Sequence, residues 1–240
     1  MPYPPRMAKQ PLYTHPLFLG GVAVSIVGIL AMRRSTPGLV APSSGAPPGR
    51  GQSGVRLGKY FTLPEMLVSG TARARGLSNQ PPDAEEGYVV ANLRALVQNV
   101  LDPIREAYGP VQITSAYRAP AVNDAIGGSL LCKNHGFPGN KAPNSATALR
   151  VAAATKTLCG SQHLLGQGAD FKLAGKGLTS RQTAQMILRL RDQGKVAFDQ
   201  LIWYDPDQSS HVHISYNTWA TRQRNDVQRK TAGGYKIENP

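Results

Sequence analysis

The ten residues SQHLLGQGAD, numbered 161–170, constrain the fold of this chain more than any other stretch. They place His163 and Asp170 seven positions apart, and HVHIS at 211–215 adds two further histidines downstream. Two imidazoles and a carboxylate form a donor set that suits Zn²⁺. Three protein ligands also leave one coordination position open, as catalytic zinc sites do. The fold must then bring two distant stretches side by side.

The local pattern is compatible with strands that carry the ligands. Two glycines between His163 and Asp170 permit a tight turn, and Asp170 would begin a strand. Alternation along a strand would place His211 and His213 on one face and Val212 towards the core. A His-x-His pair alone is more often a solvated strand face, so the metal-site prediction depends on the combination.

Several stretches resemble the zinc D-Ala-D-Ala carboxypeptidase family, which is grouped with lysostaphin-type peptidases and the hedgehog signalling domain. The pattern is most like that of its phage endolysins. The resemblance covers roughly residues 57–240, apart from an insertion at about 130–160. The matching stretches are 61–66, 92–105, 114–118, 123–128, 161–170, 198–202 and 211–216.

The resemblance implies an α+β fold, with a small antiparallel sheet that carries the zinc and helices packed on one side. The implied zinc ligands are His163, Asp170 and His213. Arg118 would bind a carboxylate of the substrate, because its planar guanidinium can contact both oxygens. His211 would line the site and stabilise the transition state.

The general base is where the chain departs from the family, which often has Glu-x-x-His before the third ligand. Ser210 stands three residues before His213, and the nearest acids are Asp205 and Asp207. Either aspartate is a candidate for the base. Tyr117 is a weaker candidate for the substrate groove.

The predicted function is zinc-dependent cleavage of peptide bonds in bacterial peptidoglycan, of carboxypeptidase or endopeptidase type. One alternative is a catalytically inactive, membrane-anchored protein that keeps the metal fold for a binding or structural role. Another is a zinc peptidase that acts on protein. A membrane anchor on a wall hydrolase suggests a phage lytic or virion component, or a bacterial wall-remodelling enzyme.

The net charge of the chain indicates which binding partners to expect. The formal net charge is +13, which favours anionic partners such as wall polymers or lipid. The sequence contains no nucleic-acid-binding motif, so no nucleic-acid partner is expected. Part of the excess charge falls in 222–236, which we interpret as a solvated basic tail.

The N-terminal quarter predicts a membrane anchor. Residues 1–16 form a Pro-rich, flexible tail, and 17–34 are apolar until Arg33 and Arg34. We expect 17–34 to cross a lipid bilayer uncleaved, with a cleaved signal peptide as the alternative. A flexible linker, 35–56, rich in Pro, Gly and Ser, would lead to the peptidase domain, 57–240. That domain would be extracytoplasmic, or the anchor would lie in the membrane of a virion.

The domain itself shows clear helix and strand signals. Capping boxes are expected at Thr62 and Thr179, and Asp83 should cap a long helix that Pro103 kinks. The predicted strands are 111–114, 170–173, 198–204 and 211–215, with the last two forming a hairpin-like pair.

Two cysteines, Cys132 and Cys159, flank the insertion. A disulfide between them would suit an oxidising compartment, and two free thiols are the alternative. Residues 145–157 within the insertion have the composition of a helix. The insertion would then be a closed loop, and it is a candidate for one wall of the substrate groove.

Overall fold

The structure is a computed structural model that describes residues 54–206 and 208–240. The predicted tail (1–16), the anchor (17–34) and nearly all of the linker (35–56) lie outside the described residues, as does Asp207. Within the described ranges, no helix combines the length and the apolar character needed to cross a bilayer.

The described residues form an α+β domain. Its helices are α1 (Leu63–Met66), α2 (Gly70–Arg75), α3 (Asp83–Leu96), α4 (Asp102–Tyr108), α5 (Pro120–Ala125), α6 (Ser145–Thr155) and α7 (Ser180–Asp192). Its strands are β1 (Val111–Ser115), β2 (Gly168–Leu173), β3 (Gln200–Tyr204), β4 (Val212–Ser215), β5 (Asp226–Thr231) and β6 (Gly234–Ile237). A π-helical segment, Val97–Leu101, joins α3 to α4, and a 3₁₀ turn spans Pro138–Asn140.

The six strands form one sheet in the order β1-β2-β4-β3-β5-β6. Every neighbouring pair is antiparallel except β3 and β5, which are parallel. The α+β class is confirmed, and the predicted pairing of β3 with β4 is present. The sheet is larger than expected because it takes two further strands from the C-terminal segment.

The prediction of a solvated basic tail at 222–236 was wrong. This segment forms β5 and most of β6, and Val227 is 6% exposed in the core. Trp203 Nε1 also donates to the Glu238 carbonyl over 3.1 Å, which fixes the residues after β6 against β3. Charge dominates the composition of this stretch, but backbone pairing and one apolar residue are enough to order it.

The long helix supplies the apolar layer against which the site is built. Its buried residues are Val89, Val90, Leu93, Leu96, Val97, Val100, Leu101 and Ile104. The expected disturbance by Pro103 occurs as the π-helical segment just before it, because proline lacks an N–H and crowds the preceding turn. The helix begins with Asp83 as its first residue after Pro82, and no side-chain cap forms there.

The two predicted capping boxes are confirmed. Thr62 N donates to Glu65 Oε2 over 2.7 Å, and Thr179 N donates to Gln182 Oε1 over 2.9 Å. The second begins α7, which packs on β2, β3 and β4. Helix α7 therefore covers the part of the sheet that carries two of the candidate ligands.

The insertion is an ordered part of the domain. A disulfide joins Cys132 to Cys159, and the backbone N–H of Gly160 donates to the Leu131 carbonyl over 2.8 Å. The predicted helix is present as α6. Its first residue, Ser145, accepts a hydrogen bond from Asn123 Nδ2 over 2.8 Å, which ties α6 to α5. The insertion therefore returns the chain to a fixed point just before Ser161.

Candidate metal centre

Sheet register places two of the predicted ligands opposite each other. Asp170 in β2 and His213 in β4 are partners across the antiparallel ladder. His163 lies in the turn that leads into β2, and its carbonyl accepts from the Arg118 N–H over 3.2 Å. Two distant sequence motifs therefore converge because β4 returns beside β2.

The three side chains form a compact, buried cluster. His213 Nδ1 lies 2.9 Å from Asp170 Oδ1, and His163 Nε2 lies 3.2 Å from the same oxygen. The two imidazole nitrogens are 3.1 Å apart. His163, Asp170 and His213 are 5%, 6% and 6% exposed. Their potential ligand atoms all lie within 4.8 Å of one another, so one ion could contact all three.

The second nitrogen of each imidazole faces away from the cluster. His163 Nδ1 lies 2.7 Å from the Ala116 carbonyl, which can only accept, so this nitrogen carries the proton. His213 Nε2 lies 3.4 Å from Gln162 Oε1. Outer partners of this kind leave the inner nitrogens available as metal ligands.

The protonation states also suit a metal. Burial lowers the pKa of His163, which favours the neutral imidazole. Burial alone would raise the pKa of Asp170, but its interactions with His163 and His213 hold that pKa well below its usual range. Metal ligands must be a neutral imidazole and an ionised carboxylate. The donor set, its spacing and its outer partners fit Zn²⁺.

Arg118 lies beside the cluster. Its Nη2 donates to Asp170 Oδ2 over 2.8 Å, and its Nε donates to Ser115 Oγ over 3.0 Å. The Arg118 side chain is 20% exposed. The residue predicted to bind a substrate carboxylate therefore already contacts the carboxylate of a candidate ligand.

His211 and Tyr204 form an aromatic pair next to the cluster. Their ring centroids are 4.8 Å apart, and His211 Nδ1 lies 2.5 Å from Ser209 Oγ. Burial lowers the pKa of His211. Burial, and then the charge of Asp170, raise the pKa of Tyr204. Sequence reasoning missed Tyr204, whose signal was only an aromatic residue at a strand end before an acidic loop.

The other predicted residues lie in different settings. Asp205 Oδ1 accepts from Arg229 Nε over 2.7 Å, which ties this candidate base to β5. Asp207 lies outside the described residues. Tyr117 is 0% exposed in the core, so its side chain cannot contact a substrate in this structure. Its substrate-binding prediction is not supported, because the chain turns this residue inwards and the next one, Arg118, towards Asp170.

A polar network behind His213 was not predicted. Gln162 Nε2 donates to Asp199 Oδ2 over 2.9 Å. Arg224 donates to both oxygens of Asp199, from Nε over 2.7 Å and from Nη2 over 2.6 Å. No spacing rule connects these three positions, which meet only when the sheet forms.

The fold and the site together define a class of protein: an α+β domain with a candidate metal site made of two histidines and an aspartate. Residues 59–135 match the model of the family described as Peptidase M15, which confirms the resemblance to zinc D-Ala-D-Ala carboxypeptidase-type proteins. The chain is similar to M15 peptidases over this segment, which is about a third of its length. The match includes Arg118 and ends before His163, so the metal cluster is an independent observation. A search of curated proteins finds no significant match.

Proposed function

We propose that this protein is a zinc-dependent peptidase that cleaves peptide bonds in bacterial peptidoglycan. The observation that carries the proposal is the buried cluster of His163, Asp170 and His213 with Arg118 beside it. The match to the Peptidase M15 family supplies the reaction class. Carboxypeptidase and endopeptidase activity are both compatible with this cluster.

Zinc held by His163, Asp170 and His213 would supply Lewis acidity towards a carbonyl oxygen and lower the pKa of a water molecule. Side chains of the protein would stabilise the developing charge and orient the substrate. His211 Nδ1 lies 2.5 Å from Ser209 Oγ, and with this hydroxyl as the donor the proton of His211 stands on Nε2. His211 is then a neutral donor for the oxygen on which charge develops. Arg118 is placed to hold a carboxylate of the substrate in register.

Proton transfer requires a base that takes a proton from water and returns it to the leaving amine. Asp205 and Asp207 are the proposed candidates, since Ser210 occupies the position where the family often has glutamate. The ion pair of Asp205 with Arg229 makes Asp205 the more constrained of the two for this role.

Membrane anchoring through 17–34, with the domain outside the cytoplasm or in a virion membrane, is part of the proposal. Its support is the apolar stretch in the sequence, with a cleaved signal as the alternative. The disulfide between Cys132 and Cys159 is compatible with an oxidising compartment. A phage lytic or virion role would follow from an anchored wall peptidase.

The test is a digest of purified, cross-linked muropeptides by the full chain with stoichiometric zinc, in mild detergent. Mass spectrometry would detect loss of a terminal D-alanine or splitting of a cross-link. His163→Ala should abolish the product. His135→Ala is the matched control, because His135 bonds to Thr157 Oγ1 in the insertion and takes no part in the cluster. Intact muropeptides from folded, zinc-loaded protein would refute the hydrolase proposal for this substrate.

A second candidate is an inactive, membrane-anchored protein that keeps the metal fold. The specific observation in its favour is Ser210 at the expected acid position, together with the Asp205–Arg229 ion pair. This candidate predicts zinc binding without turnover. Retention of the chain on insoluble peptidoglycan, combined with an unchanged muropeptide pattern, would support it.

A further inference from the structure

The ring of His213 has a defined orientation that one side chain can explain. Its Nδ1 faces Asp170 Oδ1 and His163 Nε2, and its Nε2 faces Gln162 Oε1 at 3.4 Å, which is long for a hydrogen bond. The Asp170 carboxylate favours a proton on Nδ1, and the Gln162 carbonyl favours one on Nε2. Only the tautomer with its proton on Nε2 leaves the lone pair of Nδ1 free for a metal, so Gln162 supports the ligating state of the ring.

The amide of Gln162 is itself held in one orientation. Its Nε2 donates to Asp199 Oδ2 over 2.9 Å, so its Oε1 must point the other way, towards His213. Without this contact, the amide could rotate and present its NH₂ group to the imidazole. Asp199 therefore determines which end of the amide His213 meets.

Asp199 is fixed on several sides. Its carboxylate is 1% exposed and accepts two hydrogen bonds from Arg224. Its backbone N–H donates to the Ser215 carbonyl over 2.8 Å, and its carbonyl accepts from Asp226 N over 3.0 Å. A buried carboxylate without such partners would be costly, so the arrangement is a complete network.

Gly168 provides the room for this contact. A Cβ at this position would lie 2.9 Å from His213 Cε1 and 3.3 Å from Gln162 Cβ. Only a residue without a side chain lets His213 and Gln162 approach each other in this way. Gly168, the Gln162 amide and the Asp199–Arg224 ion pair therefore all constrain the His213 ring to one position.

His163 offers a useful contrast. Its outer nitrogen meets a backbone carbonyl, that of Ala116, so no side-chain substitution can remove that partner directly. The outer partner of His213 is a side chain and can be varied. Mutation can therefore change the outer partner of His213 and leave that of His163 in place.

We infer that Gln162 is a positioning residue for His213, oriented by Asp199 and Arg224, and that this network sets the zinc affinity of the site. The inference rests on the proposed metal-dependent function. Gln162 acts through the ring of His213 and is not assigned contact with the substrate. Outer partners of metal-bound histidines typically contribute ~10–100-fold in metal affinity.

The test measures zinc affinity of the full chain by competition with a chromophoric chelator. Gln162→Leu should weaken binding by roughly 10–100-fold. Arg224→Met, at an exposed side chain, should cause a smaller loss and guards against the possibility that Gln162→Leu misfolds. Gln228→Leu is the matched control, because Gln228 also donates to an aspartate, Asp226, but contacts no candidate ligand.

A second measurement needs no metal. Long-range ¹H–¹⁵N spectra of histidine side chains in the metal-free chain report how the His213 proton is shared between Nε2, which faces Gln162, and Nδ1, which faces the Asp170 carboxylate. In Gln162→Leu the His213 proton should shift towards Nδ1, because the Asp170 carboxylate is then the acceptor that remains beside the ring. A merely structural glutamine would change the melting temperature and leave the tautomer alone.

Three results would overturn the inference. The first is zinc affinity of Gln162→Leu within about twofold of wild type, where a loss near 10-fold is expected. The second is an equal loss in Gln228→Leu. The third is a wild-type chain that binds no zinc, which would also refute the proposed function. Zinc binding by wild type therefore distinguishes failure of this inference from failure of the function.

Discussion

Arg118 donates through Nη2 to Oδ2 of Asp170 over 2.8 Å, and the other oxygen of that carboxylate faces the two histidines. One aspartate thus joins the guanidinium to the candidate metal ligands. Because the bond is charged and largely buried, it should hold the carboxylate in one rotamer. Arg118 is therefore expected to affect metal binding as well as substrate binding.

Replacing Arg118 with methionine should weaken zinc binding by about 10-fold, because Asp170 loses an outer partner. Turnover should fall further, since the proposed anchor for a substrate carboxylate is also lost. Chelator competition and muropeptide digestion would separate the two effects. Arg191→Met is the matched control, because Arg191 pairs with the exposed Asp192 over 2.9 Å. If Arg118→Met binds zinc normally but digests muropeptides poorly, then Arg118 acts on the substrate alone and has no role in metal binding.

Gly168→Ala should damage both stability and the metal site. The added Cβ would meet His213 Cε1 at 2.9 Å, and overpacking of this kind costs about 1–3 kcal/mol. Zinc affinity should fall in parallel because the His213 ring must move. Urea unfolding and chelator competition would measure the two losses. Gly70→Ala, where a Cβ meets nothing within 4 Å, should leave both unchanged, and equal effects of the two variants would contradict the expectation.

Replacing both Cys132 and Cys159 with alanine should lower the free energy of unfolding. The two cysteines are 27 positions apart, and a loop of that length corresponds to a loss of roughly 3–4 kcal/mol. Thermal unfolding with and without a reductant is the measurement. Reduction should destabilise the wild-type chain and have no effect on the double variant. A double variant as stable as wild type would show that the insertion is held by its other contacts.

Asp205→Asn tests the assignment of the base. Because Arg229 holds the Asp205 carboxylate at 2.7 Å, we expect kcat on muropeptides to fall less than about 10-fold. Loss of a general base usually costs ~10²–10⁴-fold. A loss in that larger range would identify Asp205 as the base. Asp207→Asn, assayed beside it, provides the comparison with the other candidate.

The sequence was most informative where chemistry and local spacing coincide. His163, Asp170 and His213 stood out because metal ligands require specific residue types. The capping boxes of α1 and α7 were visible because a cap depends on residues three positions apart. The disulfide candidate needed only two cysteines that flank one insertion.

The sequence was least informative where a feature depends on distant partners. Parallel pairing of β3 with β5 leaves no local signal, so a charged segment looked like a tail. The contacts of Asp199 with Gln162 and Arg224 span 37 and 25 positions, and each residue alone is ordinary. Tyr117 and Arg118 are adjacent, yet one enters the core and the other reaches Asp170, which depends on how β1 ends.

The strand order also bears on how the chain is made. On a ribosome, β3 and β4 emerge before β5, so Leu201, Ile202 and Trp203 initially belong to an open sheet edge. Such edges are prone to pairing with other chains. Strand β5 closes this edge when it pairs with β3. Nascent chains that stall or are cut before Asp226 would carry the metal ligands and an aggregation-prone strand together.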